Sequence, residues 1–207
     1  MVRTAESLNT SLDALAAREP GFAAALTRHG RPEPRLSEPG VTSLMRTIVG
    51  QQVSVAAARS MWAKLEAKYG SPPNLDALLA ATDEELRATG QSRQKAGYLR
   101  SLAGLILSGE LDLAKLPADD EEAIALLTRI RGIGRWSAEI YLLFAEGRGD
   151  VWPAGDLAVQ IEIGRLLGLP DRPSEKHLRE LADAWRPHRG AAAVLAWHSY
   201  NNIGTVI

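Results

Sequence analysis

Apolar residues recur at three- and four-residue spacing along most of the chain, and clean period-two alternation is missing. That period belongs to one face of an α-helix, not to the pleat of a strand. Ala, Leu, Glu and Arg, all good helix formers, are abundant, while Val and Ile seldom cluster. An all-α fold is predicted. Helices are expected at about 8–17 and 21–29, followed by a connecting loop marked by Pro32, Pro34, Pro39 and Gly40. Thr42 or Ser43 is placed to cap a helix through Val49, and a longer helix is expected at 54–69 with Ala57, Met61, Leu65 and Lys68 in register. Gly70-Ser71-Pro72-Pro73 stops it.

Asn74 opens a short helix to about residue 80, and Thr82-Asp83-Glu84-Glu85 has the form of a capping box before a helix that Gly90 ends. Residues 92–107 form the next helix, with Ala96, Leu99, Leu102, Ala103 and Ile106 on one side. Residues 117–120 open a helix that carries Ile124, Leu127 and Ile130. Gly132-Ile133-Gly134 then breaks the chain tightly before a helix at 136–144. A loop over 147–155 precedes a helix at 157–167, and the last two helices are expected at 175–185 and 190–200.

Composition narrows the chemistry. With 207 residues and 45% hydrophobic content, the chain is long and apolar enough for one compact domain or two small lobes with a core. No apolar run reaches the length of a membrane span, and the first residues are polar, so a cytoplasmic protein without membrane contact is the expectation. Cysteine is absent, which removes disulfides, thiolate nucleophiles, zinc–cysteine sites and iron–sulfur clusters. His29, His177, His188 and His198 are scattered, with no tight pair at metal-ligand spacing. The net charge of −1 argues against non-specific wrapping of nucleic acid but leaves room for local basic faces at 87–100 and 129–148.

One arrangement carries most of the functional information. Two glycines separated by one apolar residue, between two amphipathic helices, can take positive φ and admit another backbone closely. The helix that follows presents unpaired N-terminal amides, which bind phosphate oxygens. Ile133 would tuck inward between the helices. The competing reading is an ordinary αα-corner whose glycines serve packing. Asp156 stands twenty positions past Trp136 and directly precedes a predicted helix, so it reads as an N-cap, as a reactive carboxylate, or as both.

Leu127-x-x-Ile130-x-Gly132-Ile133-Gly134-x-Trp136-x-Ala138, followed by Pro153-Ala154-Gly155-Asp156-Leu157, resembles the helix-hairpin-helix DNA glycosylase superfamily, and within it the 3-methyladenine DNA glycosylase II branch. Residues 48–54 (Ile-Val-Gly-Gln-Gln-Val-Ser), Ser92-Arg93-Gln94-Lys95-Ala96-x-Tyr98-Leu99-Arg100 and Trp185-Arg186-Pro187-His188-Arg189 extend the likeness over about residues 20–202. The resemblance implies two helical lobes with a cleft between them: one from residues 1–38 and 150–207, the other from 39–149 with the helix-hairpin-helix at about 122–146. It implies a monofunctional glycosylase that excises alkylated bases of the 3-methyladenine and 7-methylguanine type from double-stranded DNA in base excision repair, acting as a monomer. Two other readings stay open: a non-catalytic DNA-binding module, and the same fold acting on uracil, mismatched thymine or an oxidised purine.

By the same resemblance Asp156 stabilises the oxocarbenium-like sugar, and Trp136 forms an aromatic wall against the cationic base, unless it only packs the hairpin. His188, Ile140 and Tyr141 are further expected pocket residues, with His188 standing where relatives often carry Tyr or Trp. Gln52 would fill the gap left by the extruded nucleotide and Gln51 would touch the opposite strand, the alternative being two exposed loop glutamines. Gly132, Gly134, Arg135 and Ser137, with Arg93 and Lys95, are the expected contacts to the DNA backbone. No cofactor is expected beyond a structural monovalent cation on the backbone carbonyls of Thr128, Ile130 and Ile133. Relatives that also cut the strand carry a lysine where this chain has Trp136, and no lysine occurs from Arg129 to Arg148; the expectation is therefore no lyase activity. Gln91 replaces the apolar residue usual before Ser92-Arg93.

Overall fold

The computed structural model describes residues 4–35 and 37–202. Among them every regular element is helical, in agreement with the predicted class. The chain forms two compact units: one from the described residues up to Ser37 together with those from Leu142 onward, the other from Glu38 to Tyr141. The second boundary thus falls inside a helix, eight residues before the expected one, because Leu142 and Leu143 are buried with the terminal segments.

The first unit opens with α1 (Ala5–Ala16) and α2 (Pro20–His29). The middle unit holds α3 (Val41–Gly50), α4 (Val55–Tyr69), α5 (Leu75–Ala80), α6 (Asp83–Ala88), α7 (Arg93–Leu107) and α8 (Asp120–Leu127). Helix α9 (Arg135–Phe144) starts there, and α10 (Leu157–Leu166), α11 (Glu175–Ala182) and α12 (Arg189–Asn202) belong to the first unit. Short polar residues set most helix starts by accepting an amide of the first turn: Thr4, Ser54, Asn74, Thr82, Ser92, Asp119, Asp156 and Ser174 are all N-caps with a side-chain hydrogen bond. The box at Thr82 and Glu85 closes both ways, as its sequence predicts. Helix α3 departs from expectation: it starts at Val41 after Gly40 (φ 110°), with no side-chain cap from Thr42 or Ser43. In α4 the buried positions are Trp62 and Leu65, and Met61 is only half-buried.

In the first unit Leu8, Leu12 and Leu15 bury one stripe of α1, each burial being worth roughly 1.5–3 kcal/mol. Phe22 and Trp152 both meet the ring of Trp185, at centroid separations of 5.1 and 5.6 Å. A run of buried alanines, Ala191–Ala193 and Ala196, lets α12 lie close to its neighbours, which include α10 and α2. In the second unit α7 is central: Ala96, Leu99, Leu102 and Ala103 are buried, and α3, α5 and α6 pack on it.

Candidate functional site

Asp156 stands at the N-cap of α10, at the end of a loop whose residues Val151 to Ala154 are buried. That loop is held from several sides. Arg186 and Arg189 both reach the Asp150 carboxylate at 2.9 Å, and Gly190 donates its amide to the Gly149 carbonyl at 2.9 Å. The Trp152 indole donates to the Leu178 carbonyl (3.3 Å), Arg179 donates to the Trp152 carbonyl (3.3 Å), and the Gln160 side chain donates to the Ala154 carbonyl (2.8 Å). Oδ1 of Asp156 accepts the Val159 amide at 3.0 Å and the indole N–H of Trp197 at 3.1 Å. The carboxylate is half-buried, and the donors that orient it include one local and one 41 positions away. Trp197 is itself seated against Phe144, ring centroids 5.6 Å apart.

The glycine hairpin lies in the second unit. Gly132 has φ +84°, a conformation that strains any L side chain, and a Cβ built there would lie 2.1 Å from the ring of Tyr98. Gly134 does not adopt positive φ and has open space around it, so only one of the two glycines is used for its backbone freedom. Ile133 is buried at 3% exposure, as expected, and its amide donates to the Ile130 carbonyl at 3.0 Å. Arg131 donates its amide to the Ser101 hydroxyl (3.1 Å), which fixes the turn on α7. The Gly134 carbonyl accepts from Ala138, so α9 begins at the hairpin itself, and Trp136 in its first turn is 46% exposed.

Between α3 and α4 the chain turns at residues 51–54. Gln52 has φ +54° and is exposed at the tip; Gln51 folds back and donates its side-chain amide to the Gly132 carbonyl at 2.8 Å. These residues, with Val53, Met61, Gly90, Ser92, Gln94, Lys95, Tyr98 and Gly132, line a concavity of about 480 Å³ within the second unit.

Residues 45–187 match the family model described as HhH-GPD superfamily base excision DNA repair protein. The chain belongs to the HhH-GPD superfamily.

Within the HhH-GPD superfamily it is 33% identical to DNA-3-methyladenine glycosylase 1 of Schizosaccharomyces pombe, over 74% of this chain and 69% of that protein. It superposes on the crystal structure of a DNA-3-methyladenine glycosidase from Bacillus halodurans with a TM-score of 0.83 at 29% identity, covering 95% of this chain and 91% of that one. The S. pombe 3-methyladenine DNA glycosylase in complex with abasic DNA gives a TM-score of 0.76 at 26% identity, covering 93% and 96%. The chain spans 57% to 69% of the length of three curated relatives.

The HhH-GPD fold redistributes several of the expected site residues. Lys95 is 8% exposed and donates from Nζ to the Val49 carbonyl at the end of α3 (2.8 Å); burial lowers its pKa. It ties two helices together in place of the expected backbone contact. Arg135 donates to Glu121 (2.5 and 2.8 Å) and to the buried Glu139 (2.9 Å), and its hydrogen bonds to Glu121 raise its pKa. Tyr141 is 4% exposed and its hydroxyl accepts the Gly40 amide at 2.9 Å, so it secures the start of α3. His188 is half-buried against α1, with Nδ1 3.2 Å from the Ser11 hydroxyl; burial and Arg18 lower its pKa. Ile140 and Ser137 are half-buried on α9, and Arg93 projects outward with 86% side-chain exposure. Thr128 is the C-cap of α8, and the Ile130 carbonyl accepts the Ile133 amide at 3.0 Å within the hairpin turn.

Sequence reasoning missed Trp197 as a site residue. The available signal was one large indole among small residues at the end of an alanine-rich helix. Its partner is 41 positions away, so no local pattern links them.

Proposed function

We propose that this chain is a monofunctional DNA glycosylase that hydrolyses the N-glycosidic bond of alkylated purines in double-stranded DNA, as a monomer, during base excision repair. The observation that carries this reading is the Asp156 carboxylate, whose orientation is held by the Val159 amide and the Trp197 indole at the mouth of α10. The names of similar proteins support the substrate class: S. pombe and Bacillus halodurans relatives are 3-methyladenine glycosylases.

A base in a duplex is out of reach, so the damaged nucleotide is extruded at a cost of a few kcal/mol. Gln52, exposed at the tip of its turn in a left-handed conformation, takes the vacated space. An alkylated purine such as 3-methyladenine is cationic and leaves with the electron pair of the N–C1′ bond, which turns it into a neutral base. The 46%-exposed indole of Trp136 supplies an electron-rich face for the cation, worth roughly 0.5–2 kcal/mol. Positive charge then develops on the sugar, and the Asp156 carboxylate stabilises it. Water adds to C1′, its proton passes to the carboxylate, and an abasic sugar remains. Gly132 and Gly134 bring the hairpin backbone to a DNA phosphate, and the carbonyls of Thr128, Ile130 and Ile133 would hold a monovalent cation that offsets phosphate charge. With tryptophan at position 136 and no lysine in residues 129–148, a Schiff base with the sugar is not part of the scheme.

Incubation with methylated duplex DNA tests the reading. Free 3-methyladenine in the supernatant is the expected result, with strand breaks appearing only after alkali. Release of uracil alone would replace the substrate assignment, and DNA binding without release of any base would reduce the chain to a binding module.

A further inference from the structure

Lys95 and Arg135, two of the cations expected on the DNA backbone, are occupied inside the protein. Two arginines that no motif singled out are placed differently. Arg46 lies one helical turn before the end of α3 and Arg59 one turn into α4, each about 6 Å along its helix axis from the turn that carries Gln52. Among the described residues neither is paired with a carboxylate. The Arg46 guanidinium lies over the indole of Trp62, 4.5 Å from the ring centroid, and Arg59 is exposed. Between them is a hollow of about 210 Å³, walled by Val49, Val55, Ala58 and Trp62, within the second unit. Val55 is 77% exposed there, an apolar side chain that the fold leaves uncovered.

We infer that the hollow between Arg46 and Arg59 seats one deoxyribose-phosphate unit of the DNA strand beside the Gln52 turn. The hollow has an apolar floor and a doubly cationic rim with no acid among its lining residues. A deoxyribose-phosphate has the matching halves: a largely apolar sugar face and a phosphodiester anion. A guanidinium meets a phosphate through two parallel N–H bonds, and stacking on Trp62 orients the Arg46 plane in advance. Both arginines act by positioning the strand that flanks the extruded nucleotide, so their contribution is independent of sequence. The inference rests on the glycosylase reading above and adds to it a second anchoring point, in a hollow distinct from the concavity that Gly132 lines.

The test is the salt dependence of binding. The full chain is titrated with a fluorescent duplex carrying a tetrahydrofuran abasic analogue over a series of KCl concentrations, as wild type, Arg46→Gln, Arg59→Gln, the double variant and Arg46→Lys. Each glutamine variant is expected to bind roughly tenfold more weakly at low salt, a loss typical of one charge-assisted contact. The slope of log K against log[KCl] should fall by about 0.9 in the double variant, the share of the one phosphate held, and by a part of that in each single glutamine variant. Arg46→Lys, which keeps the charge, should keep the slope. Thermal melting separates loss of fold from loss of contact, and Arg59→Gln, which removes no ring contact, carries the test if Arg46→Gln melts early. An unchanged slope in the double variant overturns the inference and leaves the hollow to an acidic protein segment. If wild type releases alkylated bases while the slopes are unchanged, only this inference falls; if wild type does not bind the duplex, the glycosylase reading falls with it.

Discussion

The indole N–H of Trp197 and the Val159 amide converge on the same oxygen of Asp156, at 3.1 and 3.0 Å. One donor belongs to the helix that Asp156 caps and the other to α12. Asp156 is therefore at once a local structural residue and the end point of a tertiary contact.

These two roles separate by substitution. Asn is as good an N-cap as Asp, so Asp156→Asn should melt within a degree or two of wild type, whereas Asp156→Ala should lose about 1 kcal/mol from the missing cap. Both should bind abasic duplex normally and lose release of alkylated bases by roughly a hundredfold or more, the scale of removing one preorganised electrostatic group. Melting curves and single-turnover release measured side by side decide it; an Asn variant with wild-type release would remove Asp156 from the chemistry.

Trp197→Phe keeps a ring against Phe144 and removes the N–H to Asp156 together with part of the indole ring. The expected stability loss is at least about 1 kcal/mol, with base release slowed roughly tenfold or more because the carboxylate loses a positioning donor. Affinity for abasic DNA should stay unchanged. The kinetic effect should vanish in an Asp156→Asn background, which a double-mutant cycle reads directly.

The two hairpin glycines should respond differently to a methyl group. Gly132→Ala places a Cβ in the Tyr98 ring and in a positive-φ backbone, so a loss of roughly 2–4 kcal/mol is expected by denaturant unfolding. Gly134→Ala meets nothing within 4 Å and should leave stability within about 0.5 kcal/mol. Similar losses in both would contradict the geometry of the turn.

Mild acid should weaken the fold. Burial, with Arg18 beside His188 and with Arg165 and Arg28 beside His29, lowers both imidazole pKa values below the ordinary value of about 6.5. Above that value both histidines are neutral in the folded and unfolded chain and contribute no pH dependence. As the pH falls through it the unfolded chain takes up protons first, so stability declines until the folded pKa values are passed. Melting temperature measured downward from neutral pH should fall in this window, and a His29→Gln, His188→Gln variant should show a flatter curve.

The all-α class, most helix starts and the hairpin were legible in the sequence because each depends on neighbours in the chain. A cap needs an acceptor three residues before an amide, as at Asn74, Thr82 and Ser92, and a tight turn needs a glycine such as Gly132. Asp156 was legible as a cap for the same reason. Where a long side chain ends was not legible. Lys95 and Arg135 read as surface cations, yet one tethers the Val49 carbonyl and the other joins Glu121 to Glu139, while Arg46 and Arg59, which belong to no motif, border a hollow with no acid in its lining. Which segments are helices and where the chain must turn can be read locally, since those choices are settled by backbone hydrogen bonds within a few residues. That Trp197 grips Asp156 and Gln51 grips Gly132 emerges from the packed fold alone, because a side-chain partner 41 or 81 positions away is chosen by how whole helices pack and leaves no spacing in the sequence to read.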